Sequence, residues 1–187
     1  MNKPALRLQL KQARQGLSET ERLALSHQIC ERLEAIDWSD VHTIHCFEPI
    51  AALNEVDVLP FMKKLHITYP TTQLYTSKRI DGNWQTVSWQ KHITTDKKQF
   101  DIVIVPMLGF DAYLHRIGYG GGYYDRFLAT QTQAKKIGVC FELGKLQHIP
   151  TESHDISLDI IATESRMYAK PIFYGQPETS LNNLSGS

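Results

Sequence analysis

The sequence predicts an α/β fold: a single domain with a mostly parallel central sheet flanked by helices on both faces. Three observations carry that expectation. Ile102-Val103-Ile104-Val105 is an unbroken β-branched run, the pattern of a strand buried on both faces. Residues 136–141 and 159–162 read the same way. Between and before these runs, apolar residues recur at helical spacing, so strands alternate with helices. The chain has 187 residues, 42% hydrophobic and 21% charged, which suits one domain with a good core. The domain is expected over residues 1–174. A mobile tail rich in Asn, Ser and Gly is expected over 175–187.

Leu6, Leu10, Ala13 and Leu17 mark a first amphipathic helix. Lys3, Arg7, Lys11 and Arg14 fall on a neighbouring stripe, which by spacing alone reads as a solvated face. Ser18 with Glu21 forms a capping box for a second helix, with Leu25, Ile29, Leu33 and Ile36 on its buried side. Residues 43–47 read as the first strand, followed by a loop through Glu48-Pro49-Ile50 to Glu55. Asp57 can cap a third helix that tolerates Pro60 in its first turn and turns Phe61, Met62 and Leu65 inward. Short strands are expected at 67–69, 73–76 and 86–89, with a turn over 80–84. Ligands of such sheets bind beyond the carboxyl ends of the strands.

Twenty basic and twenty acidic side chains cancel, which gives a nucleic-acid surface no compositional support. Cys30, Cys46 and Cys140 are far apart without metal spacing, as in reduced thiols of a cytoplasmic protein. The N-terminus is polar and basic, and no stretch is long and apolar enough to span a bilayer. No nucleic-acid or membrane partner is expected, and the expected assembly is a monomer. His115, His148 and His154 lie in loops without ligand spacing and read as surface histidines.

The chemistry concentrates in one segment. Gly118, Gly120, Gly121 and Gly122 put four of the 11 glycines within five residues, between a strand and an amphipathic run. Such a loop leaves backbone N–H groups free and lets a phosphate approach them. Arg116 and Arg126 add positive charge, and Asp125 falls in the first turn of the helix. The spacing matches neither the P-loop nor the dinucleotide fingerprint. Local chemistry therefore reads as an anion site, with a plain tight turn as the alternative. Asp125 suits either a charge–dipole contact or a Mg²⁺ ligand. Tyr123 and Tyr124 diverge by about 100° on a helix, so either one is free to line a site.

Pro106-Met107-Leu108-Gly109-Phe110-Asp111, followed by Arg116-Ile117-Gly118-Tyr119-Gly120-Gly121-Gly122-Tyr123-Tyr124-Asp125, resembles the signature of the 5-formyltetrahydrofolate cyclo-ligase family. Lys3-Pro4-Ala5-Leu6-Arg7, Glu55-Val56-Asp57 and the segments Gly138-Val139-Cys140-Phe141-Glu142, His154-Asp155 and Asp159 resemble further family motifs in the family's order. The resemblance runs from about Lys3 to about Thr163. It implies an enzyme of one-carbon metabolism that uses ATP and Mg²⁺ to close 5-formyltetrahydrofolate to 5,10-methenyltetrahydrofolate, releasing ADP and phosphate. The formyl oxygen would take the γ-phosphoryl group, and N10 would then displace phosphate from the resulting imidate.

The same resemblance implies the site. Lys3, Arg7, Arg116, Gly118, Tyr119, Gly120, Gly121, Gly122, Tyr123 and Tyr124 would bind ATP. Arg116 and Tyr124 would serve catalysis, Ile50 and Glu55 would hold the folate, and Asp125 and Asp159 would hold the metal. Four positions depart from the family pattern. Leu114 stands where a glycine is common, Tyr119 and Gly121 where some relatives carry Arg and Lys, and Thr71 where an arginine is frequent. The alternative is a phosphate-binding α/β protein without ATP chemistry, such as a sugar-phosphate isomerase.

Overall fold

Helix α1 (Lys3–Gln15) begins where Asn2 accepts from the Ala5 N–H at 3.0 Å, in the computed structural model, which describes residues 1–170. The expected domain boundary at 174 and the tail over 175–187 lie outside those residues. Helix α2 (Glu19–Glu34) opens with the expected capping box. The Ser18 hydroxyl accepts from Glu21 N at 3.3 Å, and the Glu21 carboxylate accepts from Ser18 N at 2.8 Å. The α1 face differs from the expected stripe. Leu6, Leu10 and Arg14 are buried, while Ala13 is exposed. The buried line steps by four residues to Arg14, whose guanidinium finds partners inside: the Met107 carbonyl at 3.4 Å and the Tyr119 hydroxyl at 2.5 Å.

The first strand, β1 (Thr43–His45), is followed by α3 (Leu59–Thr68) and the β2–β3 hairpin (Gln73–Ile80 and Asn83–Ser88). No strand forms at 67–69. Helix α3 continues to Thr68, and the Tyr69 N–H closes on the Leu65 carbonyl at 2.8 Å. Helical phase explains this: Phe61, Met62 and Leu65 go inward, and Ile67, despite its β propensity, is left 79% exposed. Asp57 accepts from Leu59 N at 3.0 Å at the start of this helix. The hairpin turns on Asp81-Gly82 with φ of 49° and 80°, the type I′ geometry that suits the strands' twist.

The remaining elements are β4 (Thr94–Thr95), β5 (Ile102–Pro106), β6 (Gly109–Phe110), β7 (Arg116–Ile117), α4 (Tyr123–Thr130), β8 (Lys135–Val139), β9 (Ile160–Ala162) and β10 (Met167–Ala169). The sheet order is β10-β9-β8-β5-β1-β2-β3-β4. The inner run β9-β8-β5-β1-β2 is parallel, and the outer strands β10, β3 and β4 are antiparallel. Strand β5 shows why both faces are covered. Ile102 and Ile104 pack among α2 and α3 residues such as Ile29, Leu33, Phe61 and Met62. Val103 and Val105 pack on the other side with Leu128 of α4 and Leu158. Strands β6 and β7 form a separate antiparallel ribbon between β5 and the glycine loop, sealed by α1 through Leu6 and Leu10 against Leu108 and Ile117.

Candidate active site

A cleft of about 670 Å³ opens beyond the carboxyl ends of the parallel strands, within the size range of small-molecule sites. The loop after β1 forms one wall and the β2–β3 hairpin a second. The glycine loop with the start of α4 forms the third, and the N-terminal turns of α1 close the mouth. Every site residue expected from the sequence lines this cleft except Asp159.

The β6–β7 ribbon aims the glycine loop. Asp111, fully buried, ties its turn together: one carboxylate oxygen accepts from Tyr113 N at 2.9 Å and His115 N at 3.1 Å. The other accepts from Ile149 N at 3.0 Å and faces His115 Nδ1 at 3.1 Å. The Phe-Asp of the signature is thus structural. Leu114 in this turn has φ of 63°, so the position has the backbone geometry that glycine adopts freely. It is held there by burial beside Phe110, Leu128 and Leu158.

Beyond β7 the loop passes Gly118 and turns at Gly120 and Gly122, whose φ values of 99° and 65° lie in the left-handed region that favours glycine. Among the described residues, none of the backbone N–H groups from Gly118 to Asp125 donates to a protein carbonyl, and no side chain caps α4. A row of free N–H donors at a helix start is an anion cradle. Arg7 reaches over from α1 and donates to the Gly118 carbonyl at 3.0 Å. Arg116, almost wholly buried, donates to Asp125 at 2.5 Å. Burial lowers the Arg116 pKa from its ordinary value, while Asp125 acts to raise it.

Glu55, in the loop after β1, lines the same cleft, is only 4% exposed, and accepts from Ile50 N at 2.7 Å. That bond fixes one carboxylate oxygen and leaves acceptor capacity for a ligand's N–H groups. Ile50 itself is 51% exposed at the cleft surface. Both Tyr123 and Tyr124 line the cleft. The Tyr123 ring stacks on Phe127 at 5.7 Å and an interplanar angle of 8°, and Trp84 of the hairpin covers its outer side at 4.6 Å. Its hydroxyl bonds to Ser77, which bonds in turn to His45 Nε2 at 2.8 Å. Burial pushes the Tyr124 phenol well above its ordinary range.

Trp84, Ser77 and Arg79 line the cleft without having been singled out by sequence, and Asp155, named there only as part of a motif, lines it too. Trp84 lay in a predicted turn, and only the folding of the hairpin over the cleft reveals its place. Asp155 accepts from Lys3 at 2.6 Å and pins α1 across the mouth. Burial opposes charge on both partners, yet their mutual bond wins, raising the Lys3 pKa and lowering that of Asp155.

Asp159, expected beside Asp125, is not brought into the cleft. Its carboxylate accepts from Lys136 N at 2.8 Å, beside the first residue pairs of β8 and β9. Those are the amino ends of parallel strands, and the cleft lies beyond their carboxyl ends. Asp159 therefore ties β8 to β9 at their amino ends and does not line the cleft that Asp125 lines. No group of three or more His, Cys, Asp or Glu side chains converges as a metal cage among the described residues. A Mg²⁺ ion arriving with a phosphate would need only one or two protein carboxylates, and Asp125 would be the one at the cleft. Among the described residues, no helix is long and apolar enough to cross a membrane.

Comparison with known proteins identifies the family and the fold. The model of the 5-formyltetrahydrofolate cyclo-ligase family matches residues 1–164. A curated 5-formyltetrahydrofolate cyclo-ligase from Mycoplasma pneumoniae is 31% identical over 173 residues, covering 88% of this chain and 99% of its own. A solved 5,10-methenyltetrahydrofolate synthetase from Mycoplasma pneumoniae superposes with a TM-score of 0.76 at 32% identity, over 88% of this chain and 99% of that one. The synthetase structure from Aquifex aeolicus, at 24% identity, shares the fold with a TM-score of 0.75 over 98% of this chain and 97% of its own. A match that runs through nearly every element lining the cleft, and relatives spanned almost end to end, place this chain in the 5-formyltetrahydrofolate cyclo-ligase family.

Proposed function

We propose that this protein converts 5-formyltetrahydrofolate and ATP to 5,10-methenyltetrahydrofolate, ADP and phosphate in a Mg²⁺-dependent reaction. One observation carries the reading: a buried carboxylate, Glu55, and a loop of backbone N–H groups unpartnered among the described residues line one cleft of about 670 Å³. The carboxylate suits the N–H groups of a reduced pterin, and the loop suits a triphosphate.

The chemical difficulty is a poor leaving group, because N10 cannot expel oxide from the N5-formyl carbon. In the proposed course the formyl oxygen attacks the γ-phosphorus and ADP leaves. N10 then adds to the activated carbon and loses its proton. Phosphate departs with the former formyl oxygen. The protein's part is alignment and charge neutralisation. Glu55 and Ile50 fix the pterin end. The N–H groups from Gly118 to Tyr124, with Arg116, Arg7 and Lys3, receive the phosphates. Tyr124, kept protonated by burial, offers an O–H rather than a phenolate. Asp125 would hold Mg²⁺ with phosphate oxygens and water, and the ion, when bound, offsets phosphate charge.

The test mixes protein, 5-formyltetrahydrofolate, ATP and Mg²⁺ and follows the methenyl product's near-ultraviolet absorbance. Growth that requires both ATP and Mg²⁺ is expected. Product formed without ATP, or none under any combination, would sink the reading.

A further inference from the structure

The β2–β3 hairpin brings to the cleft an aromatic ring and a cation that the proposed reaction does not use. Trp84 and Arg79 both line it. They stand directly opposite each other in the hairpin register, so their side chains leave the same face of the ribbon. Ser77, two residues before Arg79, shares that face, and its hydroxyl bonds to Tyr123. Trp84 packs against the Tyr123 ring at 4.6 Å between centroids, and Tyr123 stacks in turn on Phe127. Trp84 nevertheless stays 52% exposed. An indole supported by a stack of rings and left half open at a cleft is a platform for a further flat ring.

Arg79 differs from its neighbour. Lys78 is paired with Glu48 at 3.0 Å. Arg79 meets no carboxylate among the described residues, and its Nε donates to the Gly82 carbonyl at 3.1 Å, in the turn of its own hairpin. That bond steadies the side chain and leaves the terminal N–H fork for an anion. The other cations lining the cleft, Lys3, Arg7, Arg116 and Arg126, belong to α1, β7 and α4. Phosphates therefore have donors on the glycine-loop wall, and Arg79 offers its charge on the hairpin wall.

The pairing itself selects the ligand. A ring on Trp84 with an anion one side chain away matches an aryl group joined through one amide to a carboxylate-bearing residue. Adenine matches less well, because a ribose separates it from its nearest charge. We propose that Trp84 and Arg79 form a subsite for the p-aminobenzoyl-glutamate tail of the folate, with Trp84 stacking on the aryl ring and Arg79 holding a glutamate carboxylate. This rests on the reaction proposed above.

The experiment compares wild type, Arg79→Gln, Trp84→Leu and Trp84→Phe. KM is measured for 5-formyltetrahydrofolate, for the analogue in which methylamine replaces the glutamate, and for ATP, each with the co-substrate saturating. Arg79→Gln should raise KM for 5-formyltetrahydrofolate about fivefold, the upper end for an exposed ion pair. For the analogue, which keeps the ring and lacks both carboxylates, and for ATP, the change should stay under about twofold. Arg79 is exposed, so the melting temperature should stay within about two degrees. Trp84→Leu should raise KM for both folate substrates, and Trp84→Phe, which keeps an aromatic face, should restore most of the loss. Equal effects of Arg79→Gln on the two folate substrates would overturn the proposal, as would a rise in KM for ATP instead. A Trp84→Leu variant impaired toward ATP alone would put the nucleotide base on the hairpin and overturn it too. The two levels separate in the wild type. If it forms the methenyl product and Arg79→Gln leaves every KM unchanged, only the tail subsite fails. If wild type turns over neither folate substrate, the proposed reaction fails and the subsite falls with it.

Discussion

His45 shows how one buried side chain sets a dependence on pH. It is fully buried, its Nε2 faces Ser77 at 2.8 Å, and Phe100 and Phe127 pack on its ring at 5.2 and 4.5 Å. Burial lowers its pKa from 6.5 to about 3. Between those two values the unfolded chain binds a proton that the folded chain refuses, so stability rises with pH across that window and falls on acidification. One such group contributes about 1.4 kcal/mol per pH unit. Denaturant midpoints for wild type and His45→Gln, compared from pH 6.5 down to 4.5, should show the steeper decline in wild type. Parallel declines would mean that His45 is protonated in the folded state. Leu114 poses a different balance at a single residue. Its left-handed backbone costs about 1–2 kcal/mol, and burying a leucine side chain returns about 1.5–3 kcal/mol. Glycine would relieve the strain but lose the burial and add unfolded-state entropy, about 0.5–1 kcal/mol. Leu114→Gly is therefore expected to destabilise by about 1 kcal/mol or more in a urea melt. A stabilised variant would show that the backbone strain dominates.

At the scale of elements, the glycine loop separates two demands that sequence cannot tell apart. Gly120 and Gly122 have left-handed backbone that favours glycine, and a Cβ on them would meet Arg7 at 3.4 Å and Arg126 at 2.8 Å. Gly118 and Gly121 have ordinary backbone angles, and a Cβ there would meet no atom within 4 Å. The fold does not need glycine at those two positions, whereas close approach of a phosphate to the N–H groups does. Gly118→Ala and Gly121→Ala should leave the melting temperature within about a degree yet weaken ATP binding about tenfold, roughly 1.4 kcal/mol. Gly120→Val and Gly122→Val should lose both. Calorimetric ATP titration beside thermal melts decides it, and alanine variants that bind ATP like wild type would make the loop a connection only. Elements whose pattern is internal to the chain were legible: the β-branched strand at 102–105, the capping box of α2 and the turn at Asp81-Gly82. Ile67 misled because propensity is local, while helical phase is set by what α3 packs against. Ala13 misled because a buried arginine is legible only once its partners, Tyr119 and Met107, arrive from more than ninety residues away.

For the whole molecule, the direction of the parallel sheet decides which carboxylates can share a site. The strands β8 and β9 run the same way as β5 and β1, so all of their carboxyl ends reach the cleft side and all of their amino ends face away. Motif order in the sequence carries no such polarity, and only the resemblance, not its local setting, set Asp159 beside Asp125. Asp125 stands after the glycine loop, paired to Arg116 at the cleft. Asp159 stands at the amino end of β9, accepting from Lys136 N and lying 3.8 Å from the Lys170 ammonium. The two substitutions should therefore separate. Asp125→Asn should fold like wild type, lose most turnover, and recover part of it when Mg²⁺ is raised. Asp159→Ala should lose a hydrogen bond worth about 1 kcal/mol, visible in a melt, and keep its turnover and its Mg²⁺ dependence within about twofold. Initial rates across a Mg²⁺ titration, run beside thermal unfolding of both variants, make the comparison. Should Asp159→Ala instead demand more Mg²⁺ at unchanged stability, the carboxylate must reach the cleft by a rearrangement of the β8–β9 pair, and the polarity argument would be wrong.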